Sequence, residues 1–414
     1  MISLARQSAS LRLILVTPAV AIFVSSMLVN VGNLGFNMIF SRLMGPELFG
    51  SLAFLLTLKL SALSLFGAAQ MAVSHLVSAR PVTERSSLLA ALARLDTGLF
   101  AILAAVCLPA GIVLWTVLGP ASLSPILLLA AMPFGASLSL LRGVSYGSLN
   151  TGRIILSANL EMAVRLIFAI AAWKVGLGLP GVIGAITLSI IVGWLVLLAE
   201  VPRRRASPAE PGLLFAIGLG AAPFALLQIA QVFVLDGDIF IARWTLSTQE
   251  GGFIASLSLF QRIQFFACLS LATVLLPDLT RAKREGQALG AALAPVAVIF
   301  TAVSIAVVSA CTLAPERMIS LLVGSGYAEA AQHLPFAAFS AIAFTFSYLT
   351  ATALVALGDK RGIWLCVGIA VLQLAAMAVT PDPSLASYVG IKLGCQLLAA
   401  IVSAVLIART ALRK

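Results

Sequence analysis

The segments Leu99–Leu118, Val182–Ala199 and Val296–Val308 carry no charged residue, and this constrains the fold more than any other feature of the chain. A water-soluble core cannot absorb blocks of this length. Crossing a bilayer takes about 20 apolar residues per helix, and lipid offers the backbone no hydrogen-bond partners, so only helices or closed barrels can cross. Barrel strands would alternate apolar and polar residues, whereas these blocks are continuously apolar. Composition agrees: 10% of residues are charged, against about 25% in soluble domains, and mean hydropathy is +1.10. The chain therefore reads as an all-α membrane protein.

Apolar spans are expected near 13–41, 50–78, 87–118, 121–142, 154–173, 180–200, 212–242, 252–277, 288–313, 334–357, 362–380 and 385–408. That is about twelve transmembrane helices. The net charge of +11 could suggest a nucleic-acid partner, but the basic residues sit in short connectors and form no soluble basic domain. Of the 26 basic residues, seventeen fall on one side of this topology and four on the other, with Arg42, Lys174, Arg243 and Arg317 forming the minority. Such a bias marks the majority side as cytoplasmic, with both termini there. The apolar run after Arg6 and Arg12 continues far past the core of a signal peptide, so it reads as a permanent first helix. The five cysteines lie in or beside apolar spans without a CxxC pair, as small packing residues do.

The two halves share landmarks in the same order. Arg42 and Gly50 match Arg243 and Gly252, and the basic turn at Arg153 matches that at Arg361, so the offset between partners is nearly constant. Six helices per half give a parallel repeat. The expected division is a lobe over 1–200, a basic linker over 201–211 with prolines at Pro202, Pro208 and Pro211, and a lobe over 212–414. Two like six-helix lobes around a central cavity fit alternating access.

Three stretches carry a family resemblance. Arg42-Leu43-Met44-Gly45-Pro46-Glu47-Leu48-Phe49-Gly50 resembles the "RxLGPxxFG" turn after the first helix of bacterial polysaccharide exporters. Asp238-Ile239-Phe240-Ile241-Ala242-Arg243 looks like their seventh helix, and Leu321-Leu322-Val323-Gly324-Ser325-Gly326-Tyr327-Ala328-Glu329-Ala330-Ala331 resembles their "LLFGxxYxxA" segment. The second-lobe turn lacks the Gly-Pro pair, and Val323 stands where an aromatic is usual. The family is the lipid-linked oligosaccharide flippases of O-antigen and exopolysaccharide type. Its superfamily also holds the multidrug and toxic compound extrusion transporters and the lipid II flippase. The resemblance implies a multi-pass protein of the bacterial inner membrane that moves a polyprenyl-pyrophosphate-linked oligosaccharide, with membrane lipids and a coupling proton or sodium as further partners.

For a pyrophosphate headgroup the first residues to consider are intramembrane cations, which usually face an interior or aqueous path. Lys59 in the second helix and Arg262 in the eighth lie at nearly equal depth after Gly50 and Gly252, and would suit a pyrophosphate across a shared cavity. Arg165 is either a substrate contact or the partner of Glu161, four residues before it on the same face. Lys392 is either a cavity residue or a snorkelling one. Asp236 and Asp238 are candidates for a coupling ion, or for a pair with Arg243. Asp96 and Arg94 read as a helix-end pair. His75 and His333 lie far apart without a ligand cluster, so no metal site is expected. No phosphate loop, nucleotide cofactor site or nucleophile–base pair is visible. A cation-coupled multidrug exporter is the alternative within transport. A membrane glycosyltransferase or polymerase ranks below both.

Overall fold

In the computed structural model the described residues are 18–81, 85–119, 123–198, 212–285 and 289–412. They form twelve α-helices and one 3-10 segment, with no strand among them. In chain order the helices are α1 (Pro18–Ala79), α2 (Arg85–Leu118), α3 (Leu123–Gly147), α4 (Thr151–Lys174), α5 (Gly178–Leu198) and α6 (Leu213–Thr245). They continue with α7 (Thr248–Glu285), α8 (Leu289–Leu313), α9 (Pro315–Leu322), α10 (Leu334–Ala356), α11 (Arg361–Ala378) and α12 (Leu385–Leu412), the 3-10 segment Ser325–His333 preceding α10. The linker 201–211 and the basic N-terminal residues Arg6 and Arg12 lie outside the described residues.

Helix α1 has 62 residues, about three times what one bilayer crossing needs. It is two spans joined at Gly45, whose backbone is left-handed (φ 69°, ψ 175°). Pro46 follows. It lacks an N–H and cannot donate to the carbonyl four residues back, but its fixed φ suits the first turn of a new helix. Ten described helices are long and apolar enough to cross a membrane, with Val24–Ala79 counted once. Splitting that helix at Gly45, and adding α7, whose residues 251–277 carry the single charge Arg262, gives the twelve spans expected from the sequence.

The described residues form two compact units: those within 1–36 and 62–225, and those within 37–61 and 226–414. The region around the Gly45 kink thus packs with the C-terminal helices. In the first unit, α2 and α4 flank α3 and α5, and a core of Ala72, Val73, Val77, Leu88, Leu92 and Leu140 joins α1, α2 and α3. In the second, α10 packs on α7, α11 and α12, and Phe265, Phe344 and Tyr348 form an aromatic cluster at its centre. Cys268, Cys366 and Cys395 sit in hydrophobic clusters of this unit.

The stretches behind the family resemblance meet in the second unit. Arg42 donates to the carbonyls of Leu321 and Ser320. The buried Tyr327 hydroxyl donates to Ser41 O at 3.0 Å, and its ring meets Phe49 and Phe253 edge-on. Gly50 and Gly252 are where α1 and α7 cross. A Cβ on Gly50 would lie 2.9 Å from Gly252 N, and one on Gly252 would overlap the Pro46 carbonyl. The two repeat landmarks are glycines because two backbones touch there.

Candidate functional site

The second unit pairs each of its two intramembrane aspartates with a cation. Asp236 on α6 is 1% exposed. It takes a two-pronged contact from Arg262 on α7, with Nε–Oδ1 at 3.0 Å and a guanidinium N–Oδ2 at 2.8 Å. Asp238 Oδ2 accepts from Lys392 Nζ on α12 at 2.7 Å, and the same ammonium donates to Leu235 O at 2.7 Å. Gly237 between the aspartates lets α11 approach, since a Cβ there would lie 2.7 Å from Leu374 Cδ2. Beside these pairs, Gln396 donates to Gln373 Oε1 at 2.6 Å and Gln373 to Val234 O at 3.2 Å. Removing a charge from water is expensive, and a facing counter-charge with further hydrogen bonds offsets it. Lys59 is also buried, on the part of α1 that belongs to this unit.

The first unit is balanced differently. Glu161 on α4 receives two guanidinium groups: Arg142 on Oε2 at 2.8 Å and Arg165 on Oε1 at 2.7 Å. Arg142 also reaches Ser157 Oγ at 3.2 Å, and Arg165 reaches Asn33 Oδ1 at 2.7 Å. Both Nε atoms are buried without an acceptor. The cluster packs on α5 at Gly193, where a Cβ would stand 3.3 Å from Glu161 Cβ, and Ser157 Oγ donates to Gly193 O at 2.9 Å. Two cations on one carboxylate leave a surplus positive charge, the feature that suits an anionic ligand.

The same unit buries Asp96 on α2. Its Oδ2 accepts from Ser137 Oγ on α3 at 2.9 Å, and Ser137 Oγ accepts from Trp194 Nε1 on α5 at 2.8 Å. A cavity of about 950 Å³ in this unit is lined by Gln70, Ser74, His75 and Tyr146, with Leu219 and Gly220.

Several residues sit differently from their sequence reading. Asp236 and Asp238 pair with Arg262 and Lys392, whereas Arg243 is exposed. The reason is helical geometry: five to seven residues along α6 carry Arg243 away, while α7 and α12 bring cations to the aspartates' own level. Asp96 bonds Ser137, and Arg94 is exposed. Arg165 does hold Glu161, but shares it with Arg142, which the sequence places in a connector after 121–142. Helix α3 runs on to Gly147 because Gly143 and Gly147 pack against α1. Their Cβ atoms would lie 2.7 Å from Gln70 O and from Ser74 O respectively. That four-residue glycine spacing past Arg142 is the signal that the helix continues. Among the described residues no group of three His, Cys, Asp or Glu is placed to hold a metal.

No family model matches the chain, and no curated protein matches its sequence. Solved structures match its fold. An inward-facing multidrug resistance MATE family transporter of the MOP superfamily aligns with TM-score 0.77 at 17% identity, over 95% of this chain and 98% of that one. The lipid II flippase MurJ, in an inward closed conformation, aligns with TM-score 0.69 at 13% identity, over 94% and 87%. A MOP superfamily transporter from Pyrococcus furiosus, described as having a binding pocket of reverse polarity, aligns with TM-score 0.62 at 18% identity, over 96% and 95%. The fold is that of the MOP-superfamily membrane transporters. These neighbours are transporters and a flippase rather than enzymes. Among the described residues the intramembrane charges are two neutral pairs and Lys59 in one unit, and in the other a triad of two arginines on one glutamate together with Asp96.

Proposed function

We propose that this MOP-fold protein flips a lipid-linked oligosaccharide, carried on a polyprenyl pyrophosphate, across the bacterial inner membrane by alternating access for polysaccharide export. The observation that carries the reading is the charge balance. The carboxylates a cationic drug would need, Asp236 and Asp238, already hold Arg262 and Lys392, while Arg142 and Arg165 share one glutamate and retain positive charge for a phosphate. The named flippase resemblance at Arg42–Gly50 and Leu321–Ala331 supports the same substrate class. Lys59, Arg262, Arg165 and Lys392 are the proposed headgroup-guiding cations, now joined by Arg142. A coupling ion at Asp236 or Asp238 would compete with the chain's own cations. The moving bodies are proposed to be the lobes 1–200 and 212–414 joined by the cytoplasmic linker 201–211, with both termini cytoplasmic.

The test is reconstitution into vesicles with a purified polyprenyl-pyrophosphate oligosaccharide, and separately with a cationic dye. Transport of the glycolipid and not of the dye is expected. Arg165→Ala and Lys59→Ala should each lower the flipping rate at least tenfold at matched protein level. Dye export with no glycolipid movement would overturn the reading in favour of the multidrug exporter.

A further inference from the structure

Glu161, Asp236 and Asp238 each hold a cation within the membrane. Asp96 does not. It is 8% exposed, its Oδ2 accepts one hydrogen bond from Ser137, and its Oδ1 is buried with no partner among the described residues. Ser137 has one hydroxyl proton, which it gives to Asp96. The indole of Trp194 can only donate and is spent on Ser137. The donors of the site are therefore used up before Oδ1 is reached.

Trp194 belongs to an aromatic cluster beside Ser137. Trp194 stacks on Phe100 (centroids 5.9 Å apart, planes at 17°) and meets Phe134 edge-on at 5.2 Å, and Phe100 meets Phe134 at 5.1 Å. Phe100 stands one turn after Asp96 on α2, and Phe134 one turn before Ser137 on α3, so the rings share helix faces with the carboxyl and its hydroxyl donor. Charged groups on the packed elements point elsewhere. Arg94 on α2 and His75 on α1 are exposed, Arg85 donates to Arg80 O, and Arg142 on α3 is engaged with Glu161. Helix α5 and residues 213–225 of α6 contain no ionisable side chain.

An ionised carboxyl in such a place is expensive, and the expense is removed by a cation or a proton. Hard metal cations ask for several oxygen ligands. The side-chain oxygens the structure brings together here are those of Asp96 and Ser137. A proton needs only Oδ1. We propose that Asp96, with Ser137 and Trp194, is a proton-exchange site of the first unit, whose loading and release are coupled to substrate movement. On loading, a proton from water forms the Oδ1–H bond and neutralises the carboxyl. On release the same proton returns to water, and the Ser137 proton stays on its oxygen throughout. The coupling rests on the flippase reading above; proton exchange itself does not.

Trp194 is a built-in reporter, two hydrogen bonds from the carboxyl. Replacing Trp115, Trp173, Trp244 and Trp364 by Phe leaves it as the sole indole. In sodium-free buffer, the emission of this purified variant should follow a single-proton transition with pH, absent when Asp96→Asn is added. Sodium at fixed pH should leave the emission unchanged. Ser137→Ala is the second variant: by cutting the link between carboxyl and indole it should damp the transition severalfold. A flat pH response, a transition that persists in Asp96→Asn, or a saturable sodium response lost in Asp96→Asn would each overturn the proposal. In vesicles, an imposed pH gradient should raise glycolipid flipping severalfold for the parent and not for Asp96→Asn, while gradient-free exchange survives. An Asp96→Asn protein that still responds to the gradient would overturn the coupling. If the Trp194 transition is present but no glycolipid moves in the parent, the proton site stands and the flippase reading is what fails.

Discussion

The two units treat buried charge in opposite ways. In the second, Asp236 meets Arg262 and Asp238 meets Lys392, one carboxylate to one cation, each contact under about 3 Å. In the first, Arg142 and Arg165 crowd one Glu161, and Asp96 stands apart with a single hydroxyl donor. Matched pairs fix helices against one another and leave little field for a ligand. Unmatched charge is retained inside a membrane where function needs it. On the reading proposed above, the first unit supplies surplus positive charge and a proton site, while Arg262 and Lys392 of the second guide a headgroup only from within their pairs with the aspartates.

The strongest way to break this comparison is Glu161→Gln. It leaves two guanidinium groups side by side without their carboxylate. Removing one partner of a buried ion network costs about 3–5 kcal/mol, and here two cations are stranded. The thermal midpoint of the purified protein should fall more than for any other single change named here, and Arg142→Met in the same chain should recover part of the loss. Recovery absent at Arg142 but present at Arg165 would show that one arginine alone carries the contact.

Next in size is the second unit. Lys392→Met strands Asp238, and Asp238→Leu strands Lys392, each at about 3 kcal/mol or more. The double variant should be nearly as stable as the parent, because replacing a whole buried pair by apolar groups is often neutral. A stable double variant that keeps transport would remove Lys392 from the headgroup path and leave the pair as purely structural; one that is stable but inactive would keep Lys392 among the headgroup-guiding cations.

Gly252→Ala should cost about 1–3 kcal/mol, since the added methyl would overlap the Pro46 carbonyl and backbone must move. Gly251→Ala is the control. A Cβ there meets nothing within 4 Å, and alanine favours a helix over glycine. Equal melting behaviour of the two variants would refute the close crossing of α1 and α7. The smallest effect is expected from Tyr327→Phe, which removes the hydrogen bond to Ser41 O and keeps the ring contacts. About 1 kcal/mol is expected, read from the same melting curves.

Much of this was legible in the chain. Uncharged blocks fixed the membrane class, and Gly45-Pro46 marked a helix break that the structure places at φ 69°. The pair Glu161–Arg165 followed from its four-residue spacing, because one turn of helix brings such residues to one face. Arg142 did not follow. Its partner is nineteen positions away, and helix α3 continues beyond it to Gly147, with Gly143 and Gly147 pressed on α1. Asp96 was drawn toward Arg94 by proximity in sequence. In a helix, residues two apart face different sides, and the contact goes to Ser137 on the next helix instead.

What the sequence by itself determined is what depends on local and summed properties: the span count, the all-α class, the turn after the first span and the helix face that Glu161 and Arg165 share. Hydropathy and helical periodicity act over a few turns, so a linear reading captures them. Only the tertiary structure decided which cations Asp236 and Asp238 hold, that Gly50 and Gly252 are packing contacts, and that Asp96 has no counter-charge among the described residues. Those facts depend on which helix faces which and at what height, and helix packing is set by shape matching along whole surfaces. A charged residue in a span has one sequence neighbourhood but several neighbouring helices, and its chemistry is fixed by whichever of them supplies the nearest polar group.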